Sequence, residues 1–402
     1  MTRVRYGILA TILTALVSPL GIHAASPVPG ESPGAVDASP AVAGAAEGEG
    51  LRPDIITIMV DDLAYIPNDR IIERLPNISA KFREGGVRLT NMYSETPLCC
   101  PGRAAYLTGQ HTWTHGVWKN DGDLLDPRTT IHHALQEDGY YTFFVGKYLN
   151  GYKGTKTPPG YDDVAMMGAY CPTRFHINDV RTEFGCTWKN DVVRTQSVEW
   201  LSEAPTDQPV SAWVSFTAPH VLPFTKERGR SHTPFVMKQD QGASECRGIE
   251  PFKPETYTTQ TNEREVFKMP DWPDGWRLQT YCESMLVVDR ALAELEAAQA
   301  QRGRPAYYVL LSDNGMAWGQ KGFSQKRTPP ASRLAVYFSG PDLMTDERLT
   351  PLLSNIDIAP TIMDIAGVEF PIADGDSILG ALKGEEIEGR SEVLEVMPTD
   401  NP

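Results

Sequence analysis

Acidic and amide side chains follow two apolar segments of this sequence. Asp61 and Asp62 come directly after DIITIMV, and Asp313 and Asn314 come directly after AYYVLLS. Carboxylate and amide oxygens are the ligands that hard divalent cations such as Ca²⁺ and Mg²⁺ take in proteins. The two pairs therefore predict one metal site, although each pair alone also fits a turn or a helix cap.

Two neighbouring cysteines precede a helix-like segment in TPLCCPGRAAYLTG, residues 96–109. Adjacent cysteines do not easily bridge each other, so one of them is expected to serve reactivity. Pro101 suits the first turn of a helix, whose free N–H groups and positive dipole end favour an anion near Cys99. Arg103 adds a positive charge one turn later. The alternative, an inert buried thiol beside a helix cap, is the interpretation we favour for Cys100.

Three single cationic or titratable residues also follow or lie near apolar segments. Lys147 follows TFFVG, His220 follows FTAP, and Lys326 lies in SQKR. Lys147 and Lys326 are candidate ligands for an oxyanion, and His220 is a candidate for proton transfer. Each of them alone is more commonly a surface or structural residue.

Apolar runs alternate with helical patterns along the chain. DIITIMV has the continuous β-branched composition of a strand buried on both faces. The alternation predicts an α/β fold with a mostly parallel sheet, which binds ligands beyond the carboxyl ends of its strands. Further strands are predicted for VRLTNMYS, YTFFVGK, SAWVSFTAPH ending at His220, AYYVLLSDNG and RLAVYFSGP, and helices for TIHHALQEDG, VVRTQSVEWLSEA, WRLQTYCESMLVVDRALAELEAAQAQ and IDIAPTIMDIAG, with a broken helix in RIIERLPNISAKFREGG.

The amino-terminal sequence predicts export. Residues 1–25 have a basic start, an apolar stretch interrupted by proline and small residues before Ser26, as in a cleaved signal peptide; an uncleaved anchor is the alternative. Residues 26–50 are rich in Pro, Ala, Gly and Glu and predict a disordered linker. Residues 51–402 are expected to form the catalytic domain. A net charge of −15 argues against a nucleic-acid partner, and no stable membrane insertion is expected after cleavage.

Export permits disulfide bonds among the six cysteines. Cys171 and Cys186 flank a short polar loop, and Cys246 and Cys282 are a second candidate pair. Spacing alone leaves other connectivities open.

Several segments resemble one enzyme family. PLCCPGRAAYLTG is similar to the signature of the type I sulfatases, a Cys-x-Pro-Ser-Arg motif followed by a short helix and Leu-Thr-Gly. The landmarks MVDDL, GKYLNGY, APH, LSDNG, QKR and SNIDIAPTIMDIAGV resemble further family segments in the family's order, so the resemblance spans about Pro53 to Val368. The double cysteine and GKYLN most resemble the N-acetylglucosamine-6-sulfatase branch and its bacterial relatives. The resemblance implies an alkaline-phosphatase-like fold with a large, mostly parallel central sheet flanked by helices.

The resemblance also implies a cofactor set and roles for the candidate residues. In that family a dedicated maturation enzyme oxidises the motif cysteine to formylglycine, whose hydrate offers one hydroxyl for attack on sulfur and a second for release of sulfate. One divalent ion, Ca²⁺ with Mg²⁺ as the alternative, polarises the substrate. Carried over, the resemblance assigns Asp61, Asp62, Asp313, Asn314 and the modified Cys99 to the metal, Arg103 to support of formylglycine, Lys147 and Lys326 to sulfate oxygens, and His220 to the scissile side.

This sequence departs from the family pattern at several places. Gly102 replaces the usual serine of the motif, and Ala317 and Leu149 stand where many relatives carry histidine. The C-terminal subdomain of the family is expected to be largely missing or truncated, because the sequence stops soon after GRSEVLEVMPTDNP.

These observations predict an exported enzyme, secreted, periplasmic or at the cell surface, that hydrolyses sulfate monoesters of small molecules or glycans, such as sulfated sugars or aryl sulfates. Two alternatives stay open. One is a phosphate mono- or diester hydrolase of the same superfamily. The other is a catalytically impaired relative that binds sulfated glycans.

Overall fold

A ten-stranded sheet runs through the computed structural model, in the order β13-β2-β12-β9-β1-β8-β4-β5-β6-β7. The five neighbouring strands from β9 to β5 are mutually parallel, and antiparallel pairs flank them on both sides. The strands are β1 (Asp54–Val60), β2 (Val87–Leu89), β3 (Met92–Tyr93), β4 (Tyr141–Gly146), β5 (Asp163–Met167), β6 (Arg174–Ile177), β7 (Val180–Glu183), β8 (Val210–Ser215), β9 (Ala306–Ser312), β10 (Ala317–Trp318), β11 (Ser324–Gln325), β12 (Val336–Ser339), β13 (Glu347–Leu349) and β14 (Leu353–Ser354).

The structure describes residues 50–65, 69–154, 156–169, 171–221, 234–253, 276–318, 320 and 323–397. The predicted signal peptide and all of the predicted linker except Gly50 lie outside these residues. Among the described residues, no helix is both long enough and apolar enough to span a membrane.

Helices cover both faces of the sheet. They are α1 (Pro76–Ile78), which continues into a π-helical turn, α2 (Cys99–Thr108), α3 (Thr112–His115), α4 (Ile131–Glu137), α5 (Lys189–Glu203), α6 (Leu278–Arg302), α7 (Ile358–Ala366) and α8 (Leu379–Leu382). Helices α5 and α6 share a hydrophobic core with one face of the sheet, and α2, α4 and α7 share a core with the other face.

Strand β1 lies at the centre of this arrangement. All seven of its residues are buried, and its side chains alternate between the two cores because successive residues of a strand point to opposite faces. Ile56 and Ile58 pack on the side of α5 and α6, whereas Ile55 and Met59 pack on the side of α2 and α7. The β-branched run identified in the sequence therefore forms a strand buried on both faces.

The predicted fold class is confirmed, with two corrections to the strand boundaries. The single strand predicted for VRLTNMYS is divided into β2 and β3, and β3 pairs with β14 in a separate two-stranded sheet. Strand β8 ends at Ser215, so the prediction that this strand extends to His220 is wrong. The intervening Pro219 lacks the N–H group that a continued strand ladder would need. His220 instead lies in the loop beyond the carboxyl end of β8.

Both candidate disulfide bonds are present. Cys171 pairs with Cys186, and Cys246 pairs with Cys282. The second bond ties helix α6 to the segment that precedes it. Cys99 and Cys100 are both free and buried.

Candidate active site

The two acidic residues that follow β1 are held by neighbouring strand ends. The backbone N–H of Asp61 donates to the carbonyl of Ala218 at 3.0 Å, in the loop after β8. Asp62 takes a left-handed backbone conformation with φ 66°, which aspartate tolerates better than most residues. Its N–H donates to Oδ1 of Asp313 at 3.2 Å. The two acidic segments that follow β1 and β9 therefore meet at the carboxyl edge of the sheet.

Cys99 is the first residue of helix α2, and its thiol lies among charged groups. Its Sγ is 3.6 Å from Oδ1 of Asp61 and accepts a hydrogen bond of 2.7 Å from Nζ of Lys326. The backbone N–H of Cys100 donates to Oδ1 of Asn120 at 3.1 Å, which satisfies one of the free donors of the first helical turn. Helix α2 begins at Cys99, so Pro101 lies in its first turn, as predicted.

Arg103 is fully buried one turn along α2 and connects three strand ends. Its Nε donates to Oδ2 of Asp313 at 2.9 Å, and Nη1 donates to Oγ of Ser215 at 2.8 Å. Nη1 also donates to the backbone carbonyl of Lys147. A guanidinium group suits this position because its planar fork presents donors from separate nitrogens to acceptors at three strand ends, whereas a lysine offers all its donors from one nitrogen.

Two lysine side chains neutralise the paired acidic residues. Nζ of Lys147, which follows β4, contacts Oδ2 of Asp61. Nζ of Lys326, which follows β11, contacts Oδ1 of Asp62 as well as the thiol of Cys99. The site thus balances three carboxylates with three cations: Asp61, Asp62 and Asp313 against Lys147, Lys326 and Arg103.

These neighbours shift the pKa values of the buried groups. Burial acts to raise the pKa of Asp61, but the ammonium group of Lys147 and other nearby cations outweigh it and hold the pKa at about 2. Burial acts to lower the pKa of Lys326, but the carboxylate of Asp62 raises it well above its usual value. Burial raises the pKa of the Cys99 thiol to about 12. An unmodified Cys99 is therefore a protonated thiol at neutral pH and a poor nucleophile.

His220 points one ring nitrogen toward the carboxylates. Its Nδ1 lies 2.6 Å from the carbonyl oxygen of Val221, and a carbonyl only accepts, so Nδ1 carries a proton. Its Nε2 lies 3.5 Å from Oδ2 of Asp62. The ring is thus oriented so that Nε2 is available to give up or accept a proton, or to bind a metal.

Four residues could hold a metal ion once the lysine contacts to Asp61 and Asp62 are released. One ligand atom from each of Asp61, Asp62, Cys99 and His220 lies within 4.8 Å of all the others. Oδ2 of Asp62 and Oδ1 of Asn314 are buried and have no hydrogen-bond partner among the described residues. Unpartnered buried oxygens are costly unless a cation or water satisfies them. These carboxylate and amide oxygens fit a hard divalent cation.

The predicted ligand Asp313 is engaged differently from its partners in this structure. Its Oδ2 accepts from Arg103, and its Oδ1 accepts from the N–H groups of Asp62 and Asn314, at 3.2 and 2.9 Å. The side-chain amide of Asn314 donates to Oδ1 of Asp62 at 2.8 Å. Asp313 and Asn314 are thus at the site, and the metal roles suggested for them stay predictions.

The three departures from the family pattern all lie in buried surroundings. A Cβ atom at Gly102 would stand 2.0 Å from the backbone carbonyl oxygen of Asp313, so only glycine fits there. Ala317 is fully buried in β10, and Leu149 is 6% exposed. Apolar side chains therefore fill the positions at which many relatives were expected to carry histidine.

All the residues singled out from the sequence come together, but sequence reasoning missed two that position them. Ser215 accepts from Arg103 and donates to the carbonyl of Lys147 at 2.8 Å. Asn120 caps the backbone of α2. The position of Ser215 within a predicted strand was a usable signal, whereas nothing in the sequence distinguished Asn120.

Comparison with known families gives a match over most of the chain. The family described as Sulfatase matches residues 53–368. These limits agree with the span of the sequence landmarks described above.

The chain is similar to curated sulfatases that are less than 30% identical to it and longer than it. The extracellular sulfatase SULF-1 homolog of Drosophila melanogaster is 28% identical over 353 residues, which cover 82% of this chain and 31% of that protein. The N-acetylglucosamine-6-sulfatase of Capra hircus is 26% identical over 388 residues, which cover 88% of this chain and 67% of that protein. The chain thus spans about a third of the length of the fly relative.

Solved structures share the fold. BT4656, solved in complex with its substrate D-glucosamine-2-N,6-O-disulfate, superposes with a TM-score of 0.61 at 19% identity. The match covers 85% of this chain and 82% of BT4656. The architecture of the ten-stranded sheet and its helices is therefore shared with that protein.

Proposed function

The chain belongs to the sulfatase family, and on that basis we propose that it hydrolyses sulfate monoesters of sugars, with Cys99 converted to formylglycine as the nucleophile. Because the chain spans only part of its longer relatives, the activity, the substrate and the partners are all part of this proposal.

One observation carries the proposal. The Sγ atom of Cys99 lies 3.6 Å from the carboxylate of Asp61 and 2.7 Å from the ammonium group of Lys326. Acidic oxygens for a cation and positive groups for an anion thus surround a single sulfur atom at the carboxyl edge of the sheet. Burial raises the pKa of that thiol, which agrees with a role for it as formylglycine rather than as a thiolate nucleophile.

A divalent cation and formylglycine would supply two kinds of chemistry. A divalent cation held by Asp61, Asp62 and the neighbouring oxygens would act as a Lewis acid that polarises the sulfate. Formylglycine at position 99, made by a dedicated maturation enzyme, would supply a hydrate hydroxyl. We take Ca²⁺ as the ion, with Mg²⁺ as the alternative.

The cationic residues would bind and orient the sulfate group. Lys147 and Lys326 would hold its non-bridging oxygens, since Nζ of Lys326 contacts the thiol of Cys99 and Nζ of Lys147 contacts Asp61 beside it. Arg103 is fully buried, its Nε and Nη1 are bonded to Asp313 and to strand-end acceptors, and its Nη2 has no hydrogen-bond partner among the described residues. We therefore propose that Arg103 fixes the position of α2 and of residue 99.

His220 would act on the leaving alcohol. When the S–O bond breaks, the bridging oxygen takes the electron pair and needs a proton, and the free alcohol departs. A proton on Nε2 can meet this need because the carbonyl of Val221 already fixes the other nitrogen. Such general acid catalysis typically contributes ~10²–10⁴-fold to the rate.

The substrate class and the location follow from the relatives and from the cysteines. The curated relatives are named extracellular sulfatase and N-acetylglucosamine-6-sulfatase, which favours a sulfated sugar acted on outside the cytoplasm. The two disulfide bonds support an oxidising compartment. Residues 1–25 would supply the export signal.

Peptide mass measurement combined with turnover tests the proposal. The protein is produced together with a formylglycine-generating enzyme, and the peptide that contains Cys99 is measured by mass spectrometry. We expect the mass change of a thiol replaced by an aldehyde, together with hydrolysis of an aryl sulfate and of N-acetylglucosamine 6-sulfate.

Matched cysteine variants provide the control. Cys99→Ala should lose all turnover, whereas Cys100→Ser should be modified and remain active. A wild-type protein that prefers the aryl phosphate to the aryl sulfate would favour the phosphate-ester hydrolase. Unmodified Cys99 with retained binding of sulfated sugars would favour the non-catalytic relative.

A further inference from the structure

Helix α5 begins at the same edge of the sheet as the active site. Its first residue, Lys189, donates from Nζ to the carbonyl of Gly168 at 2.7 Å. Gly168 directly follows β5, and β5 pairs in parallel with β4, with Met166 opposite Gly146. Lys147 directly follows β4. The ammonium group of Lys189 therefore lies beside the strand end that carries Lys147.

The next residue of α5 is tied to the loop that carries His220. Oδ1 of Asn190 accepts from the backbone N–H of Thr217 at 2.8 Å and from its hydroxyl at 3.0 Å. Thr217 lies three residues before His220, and its carbonyl accepts from the N–H of His220 at 2.8 Å. The start of α5 is thus fixed on the side of the site where the leaving alcohol would depart.

An aromatic pair lies at the same place. Trp188, which precedes α5, stacks on Phe235 with ring centroids 3.8 Å apart and an interplanar angle of 24°. The residue before Phe235, Pro234, bridges to Val221, whose carbonyl accepts from His220. Both rings are half-buried. A partly exposed aromatic surface therefore lies next to Lys189 and close to His220.

The charge of Lys189 is not balanced like those of the other site lysines. Among the described residues no carboxylate pairs with it, whereas Lys147 and Lys326 each contact one. Burial lowers the pKa of Lys189, and the charge of Lys147 lowers it further, which agrees with their closeness. An ammonium group near another cation, with donors to spare and no acidic partner, favours the binding of an anion.

We propose that Lys189 binds a second anionic group of the substrate, beside the sugar ring that carries the scissile sulfate, and that the Trp188–Phe235 pair packs against that ring. This inference rests on the proposed function and deepens it. The substrate is then a sugar with at least two anionic groups, one cleaved near Cys99 and one held by Lys189. A sugar with the scissile sulfate alone is a poorer substrate.

Two probes that differ by one sulfate test the proposal. They are N-acetylglucosamine 6-sulfate and glucosamine 6-sulfate with an N-sulfate in place of the acetyl group. For Lys189→Met we expect kcat/KM to fall roughly tenfold with the disulfated sugar, the size of one lost charge-assisted contact, and less than about twofold with the monosulfated sugar. Lys189→Arg should keep the preference, because it keeps the charge.

A distant lysine provides the matched control. Lys383, at the end of α8, pairs with Asp342. Lys383→Met should leave kcat/KM unchanged for both sugars. Phe235→Leu should lower kcat/KM for both sugars by a similar few-fold factor, because the phenyl ring would contact the sugar ring that both probes share. Equal effects of Lys189→Met on the two sugars, or no effect on either, would overturn the assignment.

A binding measurement separates this inference from the proposed function. Cys99→Ala protein is titrated with each sugar by calorimetry, with and without Lys189→Met. If the wild type hydrolyses neither sugar, the proposed function fails, and the binding preference still decides the role of Lys189. Tighter binding of the disulfated sugar that is lost in Lys189→Met supports that role. Equal affinities, or no binding of either sugar, contradict it.

Discussion

The backbone carbonyl oxygen of Asp313 lies 2.0 Å from the position that a Cβ atom at Gly102 would occupy. Real Cβ atoms do not approach an oxygen so closely, so α2 and the end of β9 touch only because residue 102 is glycine. This contact brings Arg103 to Asp313 and places Cys99 over the acidic residues. The departure from the family motif is therefore built into the packing of the site.

Restoring the family residue should damage this protein. For Gly102→Ser and Gly102→Ala we expect a loss of roughly 1–3 kcal/mol in the free energy of unfolding, as for other overpacked sites. Turnover should fall as well, because α2 must move away from Asp313. Urea denaturation and the kinetics of aryl sulfate hydrolysis measure both effects.

Gly380 offers a control for this substitution. It lies in α8, and a Cβ there would meet only the flexible side chain of Glu385, so Gly380→Ala should leave stability unchanged or raise it slightly. If Gly102→Ser matched the wild type in stability and gave more formylglycine, the contact with Asp313 would not be the reason for the glycine.

Two roles of His220, proton donor to the leaving alcohol and metal ligand, can be distinguished by experiment. If Nε2 protonates the leaving alcohol, His220→Ala should lower kcat by ~10²–10⁴-fold for a sugar sulfate, and far less for an aryl sulfate whose phenolate leaves without a proton. If Nε2 instead binds the metal, both substrates should lose rate alike and metal affinity should fall. Comparison of the two substrates, with a metal titration of the variant, separates the two roles.

Metal dependence should appear in both activity and stability. Chelation is expected to abolish turnover, and Ca²⁺ to restore it. An ion present at about 100 times its Kd should add about 2.7 kcal/mol to the free energy of unfolding. Differential scanning fluorimetry with added Ca²⁺ or Mg²⁺ measures this gain and ranks the two ions.

Asp62→Asn should remove the thermal gain, because it removes one of the acidic oxygens grouped around the thiol. The exposed Asp123 offers a matched substitution, and Asp123→Asn should keep the gain. A gain that survives Asp62→Asn would place the ion elsewhere.

Stability should decrease in mild acid because of a buried histidine. His132 is 1% exposed, and burial lowers its pKa to about 3. Below the usual histidine pKa of about 6.5 the unfolded chain binds a proton that the folded protein excludes. The free energy of unfolding therefore decreases as the pH is lowered. Between pH 6.5 and 5 we expect a loss of roughly 1.6 kcal/mol from this residue alone.

Urea denaturation at several pH values measures the slope. His132→Gln should flatten it, whereas the same change at the less buried neighbour His133 should not. A slope that is identical in wild type and His132→Gln would mean that other groups cause the acid sensitivity.

Patterns along the chain predicted the parallel centre of the sheet but not its flanks. The sequence predicts β1 as a buried strand because all its positions after Asp54 are apolar or β-branched, and both of its neighbours in the sheet are parallel to it. The outer strands β6 and β7 have only four residues each, and three of the four positions of β7 are exposed, so no buried apolar run marked them. They pair with each other as a two-residue hairpin through Asn178 and Asp179, both at positive φ, and the bond between Cys171 and Cys186 closes the same segment.

The sequence predicted which residues belong to the candidate site but not how they are arranged. Strand-end positions and the resemblance identified Cys99, Asp61 and Lys326, since these depend on local sequence. The contact of Gly102 with Asp313 joins residues 211 positions apart, with no local signal. The same holds for the link of Lys189 to the end of β5, because only the folded sheet brings those segments together.

The pairing of both lysines with the acidic residues has a consequence for the order of assembly. An ammonium group that already neutralises Asp61 or Asp62 has less attraction left for an incoming sulfate ester. Arrival of a divalent ion at those carboxylates would displace the two side chains and release their charges. We therefore expect anion affinity to be acquired only after ion loading, so that the empty protein ignores free sulfate in its surroundings.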